Sequence, residues 1–233
     1  MAEMSACVLL FGSMARGDSS GTSDVDLLIS EETGSIKSER AGRVEVQYTP
    51  QKYLLEMSAR GDLFAIHLAY EAKVVADPDG FFDSFKKSLK IKSSYAKERE
   101  SASALAAYLL KRKLSKRQFP IRNKRIAWCV RTILISLLLE DGEIVFSPMR
   151  LQELYPDKRI GILLNARRTK IDISGYKKAL RWFLEEFGED EFSRKGLKQL
   201  RQVFKQQDNK VAESTIRSLS CSVAFSPYHT RSA

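Results

Sequence analysis

Leu10-Phe11-Gly12-Ser13-Met14-Ala15-Arg16-Gly17-Asp18, followed by Ser23-Asp24-Val25-Asp26-Leu27, is the stretch that decides how this chain reads. The apolar run 6–11 ends on Gly12 and reads as a buried strand. Residues 13–17 fit a short helical turn, 18–23 a Gly/Ser-rich loop, and 24–30 a second strand. Gly12 has no Cβ, so a phosphate can approach the backbone closely. Ser13 opens the turn, where its hydroxyl and nearby N–H groups can hold phosphate oxygens. Arg16 adds a fixed positive charge for a triphosphate. Residues two apart on a strand point the same way, which puts Asp24 and Asp26 on one face. Two hard carboxylates together suit Mg2+ (or Mn2+), which also binds substrate phosphates.

A third carboxylate is expected beside them. Residues 43–48 alternate polar and apolar, as a half-buried strand does. Val44, Val46 and Tyr48 are expected to face the core and Glu45 the open side, on a strand able to neighbour the Asp strand. Metal ions held by Asp24, Asp26 and Glu45 would serve both the attacking and the leaving oxygen. Glu45 is also placed to act as base toward an acceptor hydroxyl. Glu39 and Glu56 lie close enough in sequence to remain alternatives.

Further along, 34–42 reads as a polar connector, 50–59 and 63–70 as helices, and 73–76 as a short strand. Asp77-Pro78-Asp79-Gly80 is a strong turn signal. Beyond residue 84 the pattern turns helical, over 85–97, 101–113, 123–139, 148–155, 160–168, 175–187 and 193–207. Apolar residues recur there at helical spacing, as in Ile126, Val130, Ile133, Leu134 and Leu137. The expected organisation is a catalytic domain at 1–83, a basic helical domain at 84–207 and a loose tail at 208–233.

Charge divides the chain in the same place. The net charge is +10. Residues 1–83 hold 7 Lys/Arg and 14 Asp/Glu, a balance of −7, and residues 84–233 hold 32 and 15, a balance of +17. The acidic part suits divalent cations, and the basic part suits a polyanion such as RNA or keeps a helical bundle soluble. The positive charge concentrates at Lys111, Arg112, Lys113, Lys116 and Arg117, with Arg122, Lys124 and Arg125 close behind. Lys111, Arg112, Lys116 and Arg117 are the candidate nucleic-acid contacts, and Arg167-Arg168-Thr169-Lys170 is a second, less specific basic run.

No apolar run reaches the roughly 18 residues that a membrane span needs. The first residues carry neither a basic region nor a long apolar core, so no secretory signal is expected. Cys7, Cys129 and Cys221 match no zinc spacing and read as reduced thiols of a cytoplasmic protein.

The Gly12-Ser13 pair, the spacer and Asp24-Val25-Asp26 together resemble the polymerase-β-type nucleotidyltransferase superfamily, above all its minimal members. The motif match covers 8–29, and a looser likeness runs on to Gly80. The resemblance implies an α/β (α+β) fold with a small mixed sheet and helices packed on one side, here followed by the mostly helical region. It also implies transfer of a nucleoside monophosphate from a nucleoside triphosphate to an acceptor hydroxyl, with release of pyrophosphate. The phosphate-contacting Ser of the family maps to Ser13 and its metal-binding pair to Asp24 and Asp26, with Glu45 as third carboxylate. RNA is the expected acceptor. Alternatives are a protein, as in toxin–antitoxin pairs, a small molecule such as an aminoglycoside, or a non-catalytic RNA-binding module. No membrane partner is expected.

Overall fold

A computed structural model of the chain describes residues 6–19, 21, 23–166, 173–189 and 191–220. Packing divides it into two compact units: residues 1–95 with 137–153, and residues 96–136 with 154–233. The charge balance therefore changes at 83/84, while the packing changes at 95/96 and residues 137–153 return to the first unit.

The first unit is built on a five-stranded mixed sheet. Strand β1 (Cys7–Phe11) leads into helix α1 (Gly12–Arg16). Then come β2 (Val25–Ser30), β3 (Lys37–Ala41) and β4 (Val44–Tyr48). Helices α2 (Gln51–Arg60) and α3 (Leu63–Glu71), strand β5 (Lys73–Ala76) and helix α4 (Phe81–Lys87) complete it. The strand order is β3-β4-β2-β1-β5. Only β2 and β4 pair in parallel. Cys7 and Leu9 of β1 and Leu28 of β2 lie on one sheet face. They pack with Leu54, Ala65, Leu68, Phe81, Phe82 and Phe85 from the three larger helices into one core. Burying that many apolar side chains is what fixes the sheet register, because a one-residue slip would turn each strand's apolar set to the other face.

The second unit is helical. Its elements are α5 (Ala96–Lys111), most of α6 (Phe119–Glu140), α8 (Lys158–Leu164), α9 (Ile173–Phe187), α10 (Glu191–Arg194), α11 (Leu197–Gln206) and α12 (Lys210–Ser220). Between the last residues of α6 and α8 runs α7 (Pro148–Leu154), nearly all of it in the first unit. Among the described residues no helix is long and apolar enough to cross a membrane.

Four expectations change. The polar connector 34–42 contains the edge strand β3, whose five residues are all exposed. Its pairing with β4, across a turn at Gly42 with φ +59°, makes it a strand, and it carries no apolar alternation to announce one. The helix expected over 85–97 instead ends at Lys87, because the hydroxyls of Ser58 and Ser88 donate to the Phe85 carbonyl at 2.9 and 2.8 Å and satisfy it outside the ladder. The helix expected over 193–207 breaks at Gly196, whose N–H donates to the Gln199 side chain at 2.7 Å. The tail expected over 208–233 is helical through α12. Asn209 accepts the Ala212 N–H at 2.9 Å, and Ala212, Thr215 and Leu219 are buried. Residues 221–233 and the basic run 167–170 lie outside the described residues. Cys7 and Cys129 are buried free thiols, and burial beside Asp77 pushes Cys7 up to about 12.

Candidate active site

The predicted site residues gather where β1 passes into α1 and β2 begins. In the register of the sheet, Phe11 of β1 stands opposite Asp26 of β2, Asp26 beside Glu45 of β4, and Glu45 opposite Arg40 of β3. Paired residues in a sheet share a face, so Asp26, Glu45 and Arg40 form one row across three strands. Asp24, two residues before Asp26, joins the same side. This is the face of Leu28 and the core. The expected assignment of β4 is therefore reversed: Val44, Val46 and Tyr48, partners of Val25, Leu27 and Ile29, lie on the opposite face and are half-buried. Glu45 sits on the core side of the sheet, with its side chain 41% exposed. The parallel pairing of β2 and β4 settles this, and alternation alone could not tell which face the helices cover.

Gly12 begins α1 with φ +74°, a region that L side chains rarely enter. A Cβ built there would stand 2.5 Å from Oδ2 of Asp26. The missing side chain thus lets the Asp26 carboxylate lie directly against the backbone of the turn. The carbonyl of Ser13 accepts the N–H groups of Gly17 and Asp18 at 3.1 and 3.2 Å, closing the turn.

Arg40 was not expected here. Its Nη2 donates to Oδ1 of Asp24 at 2.7 Å, and its Nη1 lies 3.6 Å from Oε2 of Glu45. The guanidinium is about half exposed, at 49%. It sets a positive charge beside these two acids. Only the Gly42-centred hairpin pointed to it, and that signal is weak without apolar alternation. Among the described residues no three His, Cys, Asp or Glu side chains are gathered into a ready metal cluster. The donor set still fits a hard divalent cation. All three groups are carboxylates on one face, and Asp26 is held against a turn in which a side chain would displace it.

Arg16 takes a different place from the one expected. Its Nε donates to Oδ2 of Asp18 at 3.0 Å and its Nη1 to Oε2 of Glu71 at 2.7 Å, and its side chain is only 12% exposed. The Nε2 of His67 meets the same Glu71 oxygen at 3.0 Å. Ser147 donates to Asp18 at 2.7 Å, and Phe146 stacks on His67 at 4.9 Å between ring centroids. Burial opposes charge on Arg16, Asp18 and Glu71, but their hydrogen bonds outweigh it. Arg16 is held above its ordinary pKa, and Asp18 and Glu71 below theirs. With two carboxylates already on its guanidinium, Arg16 ties α1 to α3 rather than presenting charge to a ligand. His67 is the satisfied core-edge histidine its apolar neighbours suggest. The i, i+4 spacing of His67 and Glu71 on α3 was the available signal for this cluster.

The four basic residues singled out in the second unit divide into two kinds. Lys111 donates to the carbonyls of Ser193 and Lys195, both at 2.6 Å, and Arg112 donates to the Tyr108 hydroxyl. Lys116 and Arg117 lie exposed on a short 3-10 turn.

Comparison with known proteins bears on this arrangement. Residues 3–97 match the nucleotidyltransferase domain family. No curated protein matches the chain. Among solved structures, a nucleotidyltransferase-like protein from Exiguobacterium sibiricum 255-15 is similar at 17% identity and a TM-score of 0.32, over 94% of this chain and 81% of that one. The family match thus assigns residues 3–97 to a nucleotidyltransferase domain, whose general activity is nucleotidyl transfer. The matched region ends two residues past the first packing break, and residues 137–153 complete the same unit from outside it.

Proposed function

We propose that the chain transfers a nucleoside monophosphate from a nucleoside triphosphate to an acceptor hydroxyl with a divalent cation, Mg2+ or Mn2+, held by Asp24, Asp26 and Glu45. The observation that carries this is the register pairing of Asp26 with Glu45, with Asp24 two residues before on the same face. When bound, the cation neutralises the triphosphate and charge developing on the attacking and leaving oxygens. The chain's own residues do the rest. Gly12 and Ser13 receive the phosphates, with the Ser13 hydroxyl as donor. Glu45 takes the proton from the acceptor hydroxyl. The oxygen then bonds to the α-phosphorus as the bond to the bridging oxygen breaks, and pyrophosphate leaves. Arg16 serves this step by fixing the turn that carries Ser13.

RNA is the proposed acceptor. The balance of +17 over residues 84–233 supports this, as do the exposed Lys116 and Arg117. We assign acceptor binding to that basic region and place the protein in the cytoplasm, in keeping with its buried, unpaired thiols.

The test is incubation with each α-labelled nucleoside triphosphate, Mg2+, and either total RNA or cell protein. Labelled RNA is the expected product, lost by at least roughly 100-fold in Asp24→Asn, as when electrostatic stabilisation of the transition state is removed. Label on protein alone refutes the RNA acceptor. Transfer undiminished in an Asp24→Asn, Asp26→Asn double variant refutes the site.

A further inference from the structure

Arg122 of α6 is 4% exposed. Its guanidinium lies between two rings, 4.1 Å from the centroid of Phe119 and 4.6 Å from that of Tyr176. Its Nε and Nη2 both donate to the side-chain oxygen of Asn123, at 2.9 and 2.8 Å. Among the described residues no carboxylate pairs with it. Arg125, one turn further along and half-buried, has no carboxylate partner among them either. A guanidinium keeps its proton under these conditions. A buried cation without a counter-charge is costly, and proteins rarely leave one so. Tyr176, against the same guanidinium, is 1% exposed, and its hydroxyl has no hydrogen-bond partner. Burial holds both arginines below their ordinary pKa, and the charge of Arg122 acts on Tyr176.

We propose that Arg122, Arg125 and Tyr176 form an oxyanion site in the second unit, which takes a phosphate group. Two cations without a counter-charge among the described residues match a phosphate dianion better than a single carboxylate. The stacking of Phe119 and Tyr176 and the bonds to Asn123 fix the plane of the Arg122 guanidinium. Its Nη1 edge is left as the donor, and an edge fixed in this way binds phosphate oxygens with directional, charge-assisted hydrogen bonds. The Tyr176 hydroxyl supplies a further donor. The site belongs to the second unit and the carboxylate row to the first, and phosphate binding here does not depend on the transfer reaction.

The experiment is thermal unfolding of the full chain titrated with inorganic phosphate, with chloride adjusted to hold ionic strength constant. Wild type is expected to show a saturable rise in melting temperature. Asp24→Asn should keep that rise, which separates this site from the triphosphate site. Arg122→Gln should abolish it. Tyr176→Phe, which removes one oxygen and leaves the packing, should weaken the response roughly tenfold, the worth of one hydrogen bond to a charged group. This variant keeps the test valid if Arg122→Gln does not fold. A 5′-phosphorylated oligoribonucleotide run beside its 5′-hydroxyl counterpart separates the two sources. A stronger response to the phosphorylated form assigns the site to a terminal phosphate, and equal responses assign it to free phosphate ion. No phosphate response in wild type, or a response unchanged in Tyr176→Phe, overturns the proposal.

Discussion

Gly12 and Asp26 are packed so closely that a single added carbon on Gly12 would reach to 2.5 Å from a carboxylate oxygen of Asp26. The glycine is thus required twice, once by its positive φ and once by its neighbour. Gly12→Ala is expected to cost on the order of 2 kcal/mol in stability, from strain at a left-handed position. It should also displace the Asp26 carboxylate. The sharper readout is therefore nucleotidyl transfer, which should fall by more than the loss of folded protein accounts for. Full activity per folded molecule in Gly12→Ala would remove Asp26 from the working geometry.

If Asp24 and Glu45 hold the proposed cation, Arg40 competes with it for them. Its ion pairs are partly exposed and modest in worth. Replacing it with Gln should tighten Mn2+ binding roughly three- to fivefold, the equivalent of one exposed pair. Calorimetric titration of wild type and Arg40→Gln with Mn2+ measures this directly. Equal or weaker binding in the variant would mean that Arg40 assists the metal-loaded state.

Acid should unfasten the network around Arg16. Glu71 is held below its ordinary 4.5 and Asp18 below 3.8. For carboxylates lowered in this way, the unfolded chain binds protons first. The stabilisation is complete above the ordinary values and is lost as pH falls through the lower folded ones. The melting temperature should therefore fall as pH drops below about 4.5. Glu71→Gln should be less stable at neutral pH by on the order of 3 kcal/mol, because Arg16 loses a buried partner. Its further loss in acid should be shallower. Melting curves from pH 3 to 7 for both proteins test this, and parallel acid profiles would count against it.

If Lys116 and Arg117 grip RNA, their replacement by Gln should flatten the salt dependence of RNA binding. The logarithmic slope should fall by about 0.7 per lost phosphate contact on a single strand. Lys111 and Arg112, occupied by Ser193, Lys195 and Tyr108, should contribute less, and altering them risks the helix packing instead. Binding across a salt series in both pairs of variants separates these roles. Salt-insensitive binding by wild type would leave the positive charge as a solvated surface.

The carboxylate row was largely legible because its parts are local. The spacing of Asp24 and Asp26 is written in a single strand, and the alternation of β4 separates Glu45 from Val44 and Val46 without telling which face the helices cover. What escaped notice depends on pairing. Strand β3 is polar but for Ala41, so nothing in its own residues separates it from a loop, and Arg40 went unseen with it. Arg16 looked like a phosphate ligand because it follows the Gly-Ser turn. Its partner Glu71 lies 55 residues on, and Ser147, which holds Asp18, lies 129 away from it. In α12 the helical period is present, with Ala212, Thr215 and Leu219 on the buried face, but two of these three are small residues that are easily read as part of a polar tail.

The return of residues 137–153 to the first unit has a consequence for how the chain is made. Glu140 accepts hydrogen bonds from Ser94 and from the N–H of Tyr95, Phe146 covers His67, and Ser147 closes on Asp18. These are contacts of high sequence separation, and such closures come late because the intervening loop must be ordered first. A nascent chain that has emerged only to residue 97 has every strand of the sheet but lacks this clasp. The first unit should therefore reach full rigidity only after the ribosome has also delivered the helices in between.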